Sequence, residues 1–116
     1  PGSLHISEWT LVEFTSALAR LARMELLATD PLVIQAQLLK HTVNVYTTLD
    51  ITPVEYRKAQ QYLLHDPNLG LRGADALHVA VAHSHGKTLH TLDRKLLNCA
   101  NELGVPATAA SLLSQE

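Results

Sequence analysis

With 116 residues, 47% of them hydrophobic, the chain is long enough to bury one core and too short for two ordinary domains, so a single domain over residues 1–116 is expected. A formal net charge of -2, with nine Lys and Arg residues scattered along the sequence, excludes a basic tract for non-specific nucleic-acid binding, and any such contact has to be local. One cysteine, Cys99, excludes an intramolecular disulfide and fits a reducing cytoplasm. The apolar stretches are too short to span a membrane, and no basic-then-apolar leader opens the chain. Pro1-Gly2-Ser3 reads as the scar of a cleaved tag, which places the start of the native sequence near Leu4.

Leu4-His5-Ile6 reads as a short strand or its tail. Ser7 is a fitting N-cap for a helix from Glu8 to about Leu27, in which Phe14, Leu18, Leu21 and Met24 share one stripe. Asp30 followed by Pro31 starts a second helix, expected to run to about His41. The β-branched and aromatic run "VNVYTTLDI" predicts a strand. Thr52-Pro53-Val54-Glu55 combines a capping box with Pro at the first helical position, predicting a helix over about 53–65 that stops at His65-Asp66-Pro67. After a turn rich in Asn and Gly comes "GADALHVAVAHSHG", an apolar helix closed by Gly86 in the left-handed conformation. "KTLHTL" is expected as a strand, Arg94 to Leu103 as a helix closed by Gly104, and Val105 to Ala109 as a last short strand.

Helix and strand thus alternate with short connections and no internal repeat. The expected class is α/β, a mostly parallel sheet with helices on both faces. Such sheets place ligands beyond the carboxyl ends of their strands, where the following helices begin. Three acids meet that rule. Glu13 lies in the first half of the helix after the first strand, beside Phe14, Ala17 and Leu21; Asp75 lies in the first turn of the apolar helix; Asp93 follows a strand expected to be central. Carboxylates held close together repel, and a divalent cation relieves the repulsion; oxygen-only ligands suit Mg²⁺ or Mn²⁺. Each acid also has a plainer explanation. Asp75 can serve the helix dipole, Asp93 can cap the next helix, and Glu13 can be solvated or pair with an Arg.

"ISEWTLVEFTSALARL" (6–21), "LRGADALHVAVAHSHG" (71–86) and "LHTLDRKLLNCANELG" (89–104), in this order and spacing, resemble the PIN-domain family, and among its members the toxin nucleases of VapBC-type toxin–antitoxin modules. The resemblance runs through nearly the whole chain. It implies a three-layer PIN-like fold and a Mg²⁺- or Mn²⁺-dependent endoribonuclease, with Glu13, Asp75 and Asp93 matching the catalytic, metal-binding acids and Arg72 and Thr91 at positions of supporting groups. It also implies a small antitoxin as partner, covering the acidic groove with a basic residue, together with a homodimer, an RNA substrate and a cytoplasmic location.

One feature departs from the family pattern. Members begin with a hydrophobic strand ending in an Asp, central in the sheet, and "PGSLHISEW" starts directly at the second strand. The expectation is a PIN-like chain without that strand and its acid, prone to dimerise or domain-swap across the gap, and weakly active or inactive. A shortened recombinant chain, a misplaced start and a truncated gene all account for it. The rival reading is a catalytically inactive PIN-like remnant that acts as a protein-binding or dimerisation module.

Other candidates rank lower. His78, His83, His85 and His90 lack zinc-site spacing: His78 and His83 are five apart on one helix, and no Cys or HExxH pair supports them. His83 and His85 are expected to interact with the last carbonyls of their helix, and His78, one turn from Asp75, is placed to hydrogen-bond it. Asp50 ends a strand but matches no family ligand. Trp9 and Tyr46 read as packing residues. No nucleophile elbow and no Gly-rich phosphate loop is present. The RNA target and the antitoxin's identity are not legible in these residues.

Overall fold

The computed structural model describes residues 5–45 and 47–109, apart from the side chains of 41–45. Pro1-Gly2-Ser3, Leu4 and Tyr46 lie outside the described residues. The chain is mixed α/β and divides into two compact units, Pro1–Asp50 and Ile51–Glu116, each with two short parallel strands and its own helices.

In the first unit, strand β1 (His5–Ser7) leads directly into helix α1 (Glu8–Arg23). Ser7 caps α1 as the sequence predicts: it is buried, has extended backbone angles, and its hydroxyl accepts from Thr10 N. The helix stops four residues before the expected Leu27. Leu26 N donates to Leu21 O and Glu25 N to Ala22 O, both at 3.0 Å, which is the bonding of a Schellman cap. Glu25 takes the left-handed position with φ 55°, where no glycine announced the stop. Of the expected stripe, Leu18 is buried, Phe14 and Leu21 are half-buried, and Met24 is exposed because it lies at the cap.

Helix α2 spans Pro31–Val45, with Asp30 Oδ1 accepting from Leu32 N at 2.9 Å. It extends past the expected end at His41, and the strand read over 43–51 shrinks to β2 (Thr47–Leu49). The reason is pairing. β2 runs parallel to β1 in the register His5↔Thr47 to Ser7↔Leu49, so only three residues find ladder partners, whereas a helix gains a hydrogen bond with each added residue. Gln35 Nε2 donates to Thr15 Oγ1 at 3.1 Å, linking α2 to α1.

In the second unit, α3 (Pro53–His65) matches the predicted span and carries the full capping box. A single 3₁₀ turn, Pro67–Leu69, follows, and then α4 (Gly73–Ser84). Gly86 closes α4 with φ +64°, as expected, while Lys87 N donates to Ala82 O at 2.8 Å. That bond commits Lys87 to the cap, so the strand read over 87–92 narrows to β3 (Leu89–Thr91). Helix α5 (Arg94–Glu102) leads to β4 (Ala107–Ala109), parallel to β3 in the register Leu89↔Ala107 to Thr91↔Ala109. The single sheet of the expectation is therefore two two-stranded parallel sheets among the described residues, and β3, read as central, has β4 alone beside it.

The core of this unit is Val79 of α4, Leu96 and Ala100 of α5, and Val105, with Tyr62, Leu71, Leu89, Leu103 and Ala107 packed around them. Six of the twelve α4 residues, among them Ala76, Leu77, Val79 and Ala80, are buried, so α4 is the unit's central helix. Cys99 is buried in α5. No helix among the described residues is long and apolar enough to cross a membrane.

Candidate active site

Asp93 occupies the N-cap of α5. Its Oδ1 accepts from Lys95 N at 2.9 Å and Leu96 N at 3.2 Å, and its own N–H donates to Thr91 Oγ1 at 3.0 Å. Thr91, the last residue of β3, thus holds the Asp93 backbone while Asp93 holds the helix, so the strand end, the carboxylate and α5 form one braced corner. The capping role weighed against ligation is present. Capping engages Oδ1, and a carboxylate offers a second oxygen to solvent or a ligand.

Asp75 is the third residue of α4, half-buried and followed by the fully buried Ala76. Arg72, at the N-cap, makes no side-chain cap bond, which leaves Asp75 as the acid of that first turn. The helix that looked apolar on every side therefore presents Asp75 at its partly exposed leading end. Glu13 belongs to the first unit, sixth residue of α1 and half-buried; Asp50, exposed, follows β2.

The structure thus places Asp75 and Asp93 at the N-terminal turns of two helices of the second unit, and Glu13 on a helix of the first. Among the described residues, no group of three or more His, Cys, Asp and Glu side chains stands together to hold a metal ion. As donors, the three carboxylates are the hard oxygen ligands that Mg²⁺ and Mn²⁺ take.

Two polar groupings were not foreseen. Glu55 is 4% exposed, and it accepts from Thr52 N at 2.6 Å, from Thr52 Oγ1 at 2.7 Å and, across the helix pair, from Ser84 Oγ of α4. The Ser84 hydroxyl above all, and then the Thr52 groups, hold its carboxyl well below the usual range, from 4.5 to about 2, against the opposing effect of burial. The capping box was legible in the sequence; Ser84, 29 residues away, carried no signal.

The second grouping involves His83. It does not turn to its own helix carbonyls. Its Nδ1 lies 2.6 Å from Tyr62 Oη and 3.3 Å from Lys58 Nζ, both on α3. An ammonium can only donate, so in the Lys58 contact Nδ1 is the acceptor. Burial raises the Tyr62 hydroxyl pKa, which keeps that phenol a donor. Both groupings clip α3 to α4 and fix the helix that carries Asp75.

The α/β build and the order of elements agree with one outside comparison. The PIN domain model matches residues 2–102. No curated protein matches the chain. PIN domains are nucleases that generally depend on divalent metal ions and bind RNA. With the match covering most of its length, the chain belongs to the PIN domain family.

Proposed function

We propose that the protein is a divalent-metal-dependent endoribonuclease of the kind found as toxins in VapBC-type modules, with Glu13, Asp75 and Asp93 as its metal-binding, catalytic acids. The observation that supports it best is the corner at Asp93: a strand end, Thr91 and the first turn of α5 hold one carboxylate in place, in a chain that belongs to a nuclease family. Pre-set carboxylates suit phosphodiester hydrolysis, because placement of the water and of the scissile phosphate dominates its rate. A Mg²⁺ or Mn²⁺ ion, when bound, supplies Lewis acidity toward water and phosphate oxygens. Asp75, Asp93 and Glu13 would be the acids that hold such an ion, and Thr91 orients Asp93.

In this reading the partner is a small antitoxin with a basic residue for the acidic groove, and the active form is a homodimer in the cytoplasm. The second reading, a PIN-like binding or dimerisation module without catalysis, draws on the absence of an assembled ligand trio among the described residues. Millimolar Mn²⁺ separates the two. A rise in melting temperature for the wild type that Asp75→Asn lacks supports the metal site, and equal responses from both proteins remove it.

A further inference from the structure

We propose that Lys95 seats a phosphate of the RNA beside Asp93, an inference that rests on the ribonuclease reading above. The Lys95 N–H donates to Asp93 Oδ1 at 2.9 Å, which fixes its backbone relative to the acid. Its side chain then turns back over the loop before α4. Cε lies 3.6 Å, and Nζ 3.2 Å, from the point a Cβ on Gly70 would occupy. Gly70, with φ +69°, closes the Pro67–Leu69 turn, and its bare Cα leaves that room. One turn along α5, Cys99 Sγ donates to Leu69 O at 3.7 Å, so the face of α5 bearing residues 95 and 99 lies along residues 69–70. From there the chain passes through Leu71, packed on the core, and Arg72 into the first turn of α4 with Asp75.

The side chain therefore runs from the corner that carries Asp93 to Gly70, in the segment that leads on to α4. A surface lysine usually leaves its ammonium in bulk water at the end of a mobile stem. Lys95 is itself exposed, with the end of its stem laid over Gly70, and among the described residues its ammonium forms no ion pair. Acids that bind a cation would by themselves repel a nucleic-acid backbone, and a positive charge on the residue that Asp93 caps offsets that repulsion for one phosphate. The contact reads charge and position and carries no base sequence.

The test is binding of a labelled single-stranded RNA oligonucleotide by the full chain, followed by fluorescence anisotropy in EDTA from about 50 to about 200 mM KCl. Lys95→Met is expected to weaken binding on the order of ten-fold at the low end. It should also flatten the slope of log K against log salt by about 0.7, the loss of one single-strand phosphate contact. Lys95→Arg should retain both, and Lys95→Gln serves if the Met variant does not fold. A merely structural role would change the melting temperature and leave the salt slope alone. RNA binding with unchanged affinity and slope in Lys95→Met or Lys95→Gln overturns the phosphate seat and leaves the ribonuclease reading standing; a wild type that binds no RNA removes both.

Discussion

Replacing Glu55 with Gln tests whether a buried carboxylate joins α3 to α4. In the folded protein the Ser84 hydroxyl and the Thr52 groups lower its pKa from 4.5 to about 2. At full strength such a shift is worth about 3 kcal/mol. Thr52 and Ser84 are exposed, so water competes for the network, and about 1–2 kcal/mol is the expected net contribution. The sign follows from the depressed pKa. The stabilisation is fully present above pH 4.5 and is lost as pH falls from 4.5 toward 2, because the unfolded chain takes up the proton first. Urea unfolding of wild type and Glu55→Gln, followed by far-UV circular dichroism, should show a gap of about 1–2 kcal/mol at pH 7 that closes by about pH 2. A gap that stays constant over that range would refute the carboxylate's role and leave only the shape of the side chain.

Three further outcomes are expected. Asp93→Ala removes the cap of α5 and should cost about 1 kcal/mol, whereas Asp93→Asn keeps the cap and should unfold close to wild type; urea midpoints compare them. If Asp93 is also a ligand, Asp93→Asn loses the Mn²⁺-dependent rise in melting temperature despite its intact fold, and an undiminished rise would count against ligation. Glu25→Gly relieves a left-handed non-glycine residue at the end of α1 and should stabilise the first unit by about 1 kcal/mol, read from slower hydrogen exchange of the last α1 amides; faster exchange would contradict it.

Local chemistry that acts within a few residues was legible in the sequence. Ser7, Asp30, Thr52 and Asp93 cap helices where the sequence placed them, and Gly86 ends α4 as read, since each needs only neighbours in the chain. The ends of α1 and α2 were not legible. Glu25 adopts a conformation its type disfavours, and the length of β2 is set by the three residues that β1 offers. Glu55 with Ser84, and His83 with Tyr62 and Lys58, depend on how α3 lies against α4, which no periodicity reports. For the candidate site, the sequence indicated that Asp75 and Asp93 begin helices. It did not show how Thr91 braces one of them or how Lys95 folds over Gly70.

The most direct test of the central claim is cleavage of a fluorescent RNA in Mn²⁺, with and without EDTA, by this chain and by a version extended upstream, each beside its Asp93→Asn variant. The account predicts cleavage by the extended protein that EDTA and Asp93→Asn both abolish, with weak or no cleavage by the 116-residue chain. Silence from both forms, or cleavage indifferent to EDTA and to Asp93, would contradict it.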